Sequence, residues 1–133
     1  MSRKAKGFER FERRQQSAGS SQLEMLMFRL QSKQRFGINV YKVREVLQCP
    51  SLTIVPGSAR VLKGVITLRG ITIPVIDLSL AVGMEPITDT QTAYIIVAEF
   101  NRAVQGFLVA AVERIVHVEW ENVSSPPRTS GLD

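Results

Sequence analysis

The sequence predicts an all-β fold with only short helices, and two observations support this prediction. First, apolar and polar residues alternate in several runs, such as the one holding Phe36, Ile38 and Val40, and this alternation is typical of strands that bury one face. Second, turn residues separate these runs at the spacing of a small barrel or sandwich, and no segment shows a long helical repeat. A chain of 133 residues is in the range of one ordinary domain.

Charge and composition divide the chain into three parts. Residues 1–22 hold six basic and two acidic side chains, which is four of the five net positive charges, and they contain few apolar residues. We expect this basic leader to be disordered, because it has too little apolar surface to fold. Residues 23–127 are predicted to form the folded domain. Residues 128–133 are expected to be a disordered tail after the proline-rich segment.

The first half of the domain is predicted to hold a hairpin, a helix and a brief strand. Leu23–Leu30 and Arg35–Val40 are apolar runs joined by polar residues, the pattern of an antiparallel hairpin. In Tyr41–Leu47 three apolar residues fall at helical spacing, which favours one short helix that ends before Pro50. Leu52–Val55 is expected to form a brief strand.

A second hairpin is the most sharply specified part of the sequence. Gly64–Leu68 and Ile71–Ile76 are β-rich runs separated only by Arg69 and Gly70, which indicates a tight turn. Pro74 has no N–H to donate, so its strand is expected to lie at a sheet edge or to have a bulge there.

The remaining elements follow in order along the chain. Asp77 precedes Leu78–Val82, and its carboxylate is expected to cap a short helix by accepting a hydrogen bond from a free backbone amide. Thr92–Phe100 and Val104–Val109 flank a predicted turn, and a third strand with an apolar face runs from Val112 to Trp120.

The residue types that carry chemistry are sparse. His117 is the one histidine, and a strand position facing solvent is the expected reading. Cys49 is the one cysteine, which excludes an internal disulfide and favours a buried, inert thiol in a reducing compartment. No metal-binding, nucleophile-elbow or phosphate-loop motif is present. We therefore expect no enzymatic activity, no metal and no cofactor.

The apolar runs also bear on membranes and localisation. The first of them, Met25–Phe28, is too short to span a bilayer and has charged residues on both sides. We expect a cytoplasmic protein that does not insert directly into the membrane. An alternative function is a small β-barrel that binds nucleic acid through the basic leader. The aromatic residues do not form the stacking platform of such a barrel, so we expect no nucleic-acid partner.

Three segments together resemble the CheW-like chemotaxis coupling family, and most closely the coupling half of CheV-type proteins. They are FGINVYKVREVL at 36–47, GVITLRGITIPVIDL at 64–78 and EFNRAVQGFLVAAVERIVHVEW at 99–120. The resemblance implies a pair of small antiparallel β-barrels, of which the second is expected to be incomplete in this chain. It also implies an adaptor without enzymatic activity. An incomplete barrel exposes strand edges, so self-association is a further expectation.

The resemblance also implies the partners and the residues that bind them. The implied partners are the cytoplasmic tip of a chemoreceptor and the regulatory domain of a CheA-type histidine kinase. A receptor hairpin is a helical ligand, which needs an apolar groove with a few charges at its rim. The implied partner-binding residues are Val43, Glu45, Gly64, Arg69 and Gly70. We predict that Glu45 and Arg69 lie close together at this rim.

Overall fold

The computed structural model describes residues 22–119, and these form an all-β fold with two sheets. The eight strands are β1 (Gln22–Arg29), β2 (Arg35–Asn39), β3 (Val43–Gln48), β4 (Leu62–Leu68), β5 (Ile71–Asp77), β6 (Tyr94–Phe100), β7 (Ala103–Val109) and β8 (Ala111–Glu119). A 3-10 helix spans Val40–Lys42, and α1 spans Leu78–Ala81. One sheet has the order β2-β1-β8, and the other has the order β3-β6-β7-β5-β4. This architecture agrees with the predicted fold class.

The three-stranded sheet is built on the predicted first hairpin. Strands β1 and β2 are antiparallel, with Leu26 opposite Ile38 and Phe28 opposite Phe36. These four side chains are buried, and the rings of Phe28 and Phe36 stack with their centroids 6.0 Å apart. Strand β8 pairs with the other side of β1 and brings Val112 opposite Phe28. The period-two pattern therefore identified the buried face of this sheet correctly.

The helix predicted over Tyr41–Leu47 was wrong. Only the 3-10 helix Val40–Lys42 is helical, and the next six residues form strand β3, which pairs with β6. Alternate residues of β3 are half-buried and exposed, so the segment has a period of two rather than 3.6. The three apolar residues at helical spacing also fit a strand, because a short apolar run does not by itself distinguish the two.

Two tight turns of the five-stranded sheet lie where the sequence predicted them. Arg69 and Gly70 connect β4 to β5 and have φ angles of 49° and 81°. Asn101 and Arg102 connect β6 to β7 with φ angles of 52° and 68°. Two consecutive residues at positive φ are the signature of the hairpin turn whose twist matches that of the strands.

The five-stranded sheet closes on itself beyond the end of β3. Thr53, which follows β3 along the chain, exchanges two backbone hydrogen bonds of 3.0 and 2.9 Å with Val65 of β4. They form an isolated antiparallel bridge, which is all that remains of the strand predicted over Leu52–Val55. Because β3 and β4 are the two outer strands of the sheet, this bridge joins its edges into a small barrel.

The position of Pro74 differs from the simplest expectation. Strand β5 lies inside the sheet, with β4 on one side and β7 on the other. Its parallel pairing with β7 begins only at Val75, so Pro74 is paired with β4 alone. A register shift in β4 falls between Leu62 and Gly64, next to this point. The shift lies opposite Val75 and Ile76, so Pro74 itself is in regular pairing with Val65, and the predicted bulge lies beside the proline rather than at it.

Asp77 caps α1 as predicted, and its carboxylate also contacts Ile87 and Lys63. Its Oδ1 accepts a hydrogen bond of 3.2 Å from the backbone N–H of Leu80. Its Oδ2 accepts one of 2.9 Å from the backbone N–H of Ile87 and lies 3.6 Å from Nζ of Lys63. The side chain of Asp77 is fully buried. One carboxylate therefore holds both ends of the segment 78–87 and pairs with a lysine of β4.

Ser79 connects the same segment to the other sheet. Its hydroxyl donates a hydrogen bond of 2.5 Å to the carbonyl oxygen of Glu85 and accepts one of 3.4 Å from the backbone N–H of Gln31, in the β1-β2 turn. The residue is fully buried. The short helix α1 thus links the barrel to the three-stranded sheet through polar contacts as well as apolar ones.

The buried apolar side chains form two main clusters. One fills the barrel and includes Val75, Ile95 and Leu108. The other lies between the two sheets, where Phe28 and Ile38 of the three-stranded sheet meet Ile96 of β6 and Leu78 of α1. Burial of these residues holds the two sheets together, at about 25 cal/mol for each Å² removed from water.

Strand β8 has one open edge within residues 22–119. It pairs with β1 on one side, and no described strand pairs with its other side. Ile115 on this strand is 53% exposed. An open strand edge with an exposed apolar side chain favours pairing with another chain.

We therefore predict concentration-dependent self-association, which Ile115→Lys reduces because edge lysines oppose strand pairing. Sedimentation velocity over a range of protein concentrations measures this. Val46→Lys, which alters an exposed apolar residue on another strand, is the matched control. A wild-type protein that stays monomeric at every concentration contradicts the prediction.

Candidate functional site

The centre of the candidate site is an ion pair between β3 and the β4-β5 turn. Both Nη1 and Nη2 of Arg69 donate to Oε1 of Glu45, over 2.9 and 2.6 Å. The Arg69 side chain is 68% exposed and that of Glu45 is 31% exposed. The pair spans the two barrel edges that the Thr53–Val65 bridge joins. The predicted proximity of Glu45 and Arg69 is confirmed.

The backbone of Arg69 has a conformation that arginine rarely adopts. Its φ of 49° lies in the left-handed region, where asparagine, aspartate and glycine are the favoured turn residues. A side chain with a Cβ costs about 1 kcal/mol in that conformation. An exposed ion pair returns at most about 1 kcal/mol, so arginine at this turn brings no net gain in stability. A strained, exposed and charged residue points to a role in binding.

An exposed apolar side chain adjoins the ion pair along the chain. Val46 follows Glu45 on β3 and is 38% exposed, but successive side chains of a strand point to opposite faces, so Val46 does not share the face of Glu45. Ile71 follows the Arg69-Gly70 turn and is 61% exposed. Charges beside exposed apolar side chains are the arrangement expected of a protein-binding surface, in which apolar contacts provide affinity and charges fix orientation.

The five residues implied by the resemblance lie in two different environments. Glu45, Arg69 and Gly70 come together at the exposed turn. Val43 is half-buried and packs against the cluster between the sheets. Gly64 is buried, and a Cβ at its position would lie 2.7 Å from the carbonyl oxygen of Thr53. The structure therefore gives Gly64 a role in barrel closure.

Two features of the structure were not identified from the sequence. Val46 was assigned to the apolar side of a helix, and its exposure became apparent only when β3 proved to be a strand. The bonds from Asp77 to Ile87 and Lys63 join residues ten and fourteen positions away, so no short motif could have predicted them.

Cys49 is half-buried rather than buried as predicted, but its thiol has an unreactive environment. Burial raises the pKa of its thiol, and the nearby positive charge of Lys63 opposes this with a smaller effect. The thiol also lies 3.3 Å from the carbonyl oxygen of Pro50, in a geometry that lets it donate a hydrogen bond. A raised pKa keeps the sulfur protonated at neutral pH, which makes it a poor nucleophile.

The histidine predicted to face solvent does so. The side chain of His117 is 62% exposed, and its Nε2 lies 3.2 Å from Oε2 of Glu24 on β1.

Across residues 22–119, no three histidine, cysteine or acidic side chains are grouped so that they could hold a metal ion. No helix in that part of the chain is both long and apolar enough to cross a membrane. The basic leader and the tail lie outside the described residues.

Curated relatives of the chain are chemotaxis proteins. It is 39% identical over 107 residues to the probable chemotaxis protein CheW of Rhizobium etli, covering 80% of this chain and 68% of that protein. It is 36% identical over 111 residues to the chemotaxis protein CheV3 of Helicobacter pylori, covering 77% of this chain and 36% of the relative. The chain thus spans about a third of the CheV-type relative.

A solved structure gives the same result for the fold. The chain superimposes on the crystal structure of the scaffolding protein TtCheW from Thermoanaerobacter tengcongensis with a TM-score of 0.72 and 28% identity. This match covers 81% of this chain and 74% of the other. A family model described as the CheW-like domain matches residues 24–132. The chain therefore belongs to the CheW-like domain family.

Proposed function

We propose that this protein is a chemotaxis adaptor that couples a chemoreceptor to a CheA-type histidine kinase through protein-protein contacts alone. Its relatives are named chemotaxis proteins, and the similar solved structure is named a scaffolding protein. The observation that carries the proposal is the Glu45–Arg69 pair, in which an exposed arginine occupies a strained turn position without a net gain in stability.

The proposed binding surface comprises Glu45 and the turn from Arg69 to Ile71. Both terminal nitrogens of Arg69 donate hydrogen bonds to one oxygen of Glu45, Oε1. Nε of Arg69 and Oε2 of Glu45 have no hydrogen bond within the described part of the chain. These atoms are available to orient a partner, while Ile71 supplies apolar area. Gly70 adjoins the surface in open space, which lets a partner approach its backbone closely.

Val43 and Gly64 have an indirect part in this proposal. Val43 packs beneath β3, and Gly64 lets β4 approach Thr53. Both residues keep the strands that carry Glu45 and Arg69 in position. The adaptor acts in the cytoplasm, where the signalling ends of chemoreceptors and their kinases lie.

Charge reversal at Arg69 tests the proposal. Arg69→Glu places a second carboxylate beside Glu45, and we expect at least about a tenfold loss of affinity for a chemoreceptor cytoplasmic fragment or the kinase regulatory domain. Stability should change by no more than about 1 kcal/mol, because the pair is exposed. Isothermal titration calorimetry measures the affinities, and urea denaturation measures the stability.

Arg35→Glu is the matched control for this substitution. Arg35 is 65% exposed and also pairs with one glutamate, Glu113, but it lies on the three-stranded sheet. This variant should bind both partners as the wild type does. The double variant Glu45→Arg with Arg69→Glu recovers affinity if the two residues chiefly orient each other. Unchanged affinity of Arg69→Glu for both partners contradicts the proposal.

A further inference from the structure

A second arginine occupies a strained turn, at a different place on the barrel. Arg102 has a φ of 68° at the second position of the β6-β7 turn, where glycine is strongly favoured. Its side chain is exposed, and within residues 22–119 it makes no ion pair. Asn101 before it is also at positive φ, but asparagine adopts that conformation readily. No ion pair within the described part of the chain therefore offsets the strain at Arg102.

Other basic and aromatic side chains surround this turn. Nζ of Lys42 lies 5.7 Å from the ring centroid of Phe100, which directly precedes the turn. Nη1 of Arg44 lies 2.7 Å from Oε1 of Glu99, on the same strand as Phe100. Three basic side chains and one acidic side chain thus lie on or beside the end of β6 that leads into this turn, and we call the group of Lys42, Arg44, Glu99 and Arg102 the basic patch.

The most exposed large apolar residue of the described chain lies beside the basic patch. Tyr41 is 92% exposed in the 3-10 helix, next to Lys42. Its backbone is held in place, because Oδ1 of Asn39 accepts a hydrogen bond of 2.9 Å from its N–H. An exposed tyrosine on a fixed backbone is a common anchor of protein interfaces, because it buries much area and loses little conformational entropy on binding.

We propose that the basic patch and Tyr41 form a second protein-docking surface, which binds an acidic segment of a partner protein. Carboxylates of the partner pair with Arg102 and Lys42, whose charges Glu99 does not neutralise, and an apolar side chain of the partner packs on Tyr41. This surface is separate from the Glu45–Arg69 pair, so the two can be tested independently.

The turn offers a substitution that separates binding from folding. Arg102→Gly removes the charge and places the favoured residue at positive φ, so it should not lower the melting temperature. The probe is a labelled peptide of six glutamates and one leucine, and binding is followed by amide chemical shifts in the full chain. We expect chemical-shift changes at residues 40–44 and 99–103 in the wild type. The dissociation constant of the peptide should be about fivefold larger for Arg102→Gly.

Asn101→Gly is the matched control, because it alters the same turn and leaves every basic residue in place. It should bind the peptide as the wild type does. Peptide shifts confined to residues 1–22 overturn the proposal, and so does equal affinity of wild type and Arg102→Gly. Duplex DNA and phosphatidylglycerol vesicles are the comparison ligands. If either binds at residues 99–103 more tightly than the peptide does, the proposal is also overturned, since the surface then recognises phosphate groups.

Discussion

Asp77→Ala is expected to destabilise the protein by about 3–5 kcal/mol, the range for removing one partner from a buried charged contact. The substitution leaves the buried N–H of Ile87 without its acceptor and removes the negative charge beside Lys63. It also removes the cap of α1, which by itself is worth about 1 kcal/mol. Urea denaturation followed by tryptophan fluorescence and circular dichroism measures the change.

Asp89→Ala is the matched control for this loss. Oδ1 of Asp89 also accepts a hydrogen bond from a backbone N–H, that of Gln91 over 3.1 Å, but the residue is exposed. Water replaces the lost acceptor there, so the control should lose less than about 1 kcal/mol. Equal effects of the two substitutions would mean that Asp77 acts only as an ordinary helix cap. A larger loss at Asp77 supports its role in joining 78–87 to β4.

Local sequence signals predicted the features of the fold that have local causes. The Arg69-Gly70 turn, the Asp77 cap and the alternation from Phe36 to Ile38 each depend on residues within a few positions of one another, and the structure has all three, although the alternation ends before Val40, which begins the 3-10 helix. The region around β3 was predicted wrongly because its strand conformation depends on pairing with β6, about fifty residues away. Pairing over that distance leaves no local signal.

The candidate site shows the same division between local and distant causes. The proximity of Glu45 and Arg69 was expected from the family resemblance, because no pattern in the chain links two residues on separate strands. The Thr53–Val65 bridge that brings those strands together had no signal except a short apolar run. The resemblance implied a partner-binding role for Gly64 and Gly70 alike, and only the structure distinguishes the buried glycine from the exposed one.

Gly64→Ala is expected to destabilise the protein by about 2–3 kcal/mol, in the range for overpacking a close-packed site. A Cβ at this position would lie 2.7 Å from the carbonyl oxygen of Thr53 and 3.2 Å from Cβ of Leu52. The nearest atom belongs to the backbone, so the clash is relieved only by moving the segment that closes the barrel. Amide hydrogen exchange should become faster at Thr53 and Val65, whose mutual hydrogen bonds form the closure.

Gly70→Ala is the matched control, and it separates two roles for these glycines. A Cβ at Gly70 meets nothing within 4 Å, so only its φ of 81° opposes the substitution, at a cost of about 1 kcal/mol. If Gly64 serves barrel closure, Gly64→Ala loses stability and partner affinity together, because the Glu45–Arg69 pair spans the same barrel edges. If Gly64→Ala keeps wild-type stability and exchange rates but binds partners weakly, the residue contacts a partner directly and the closure role is wrong.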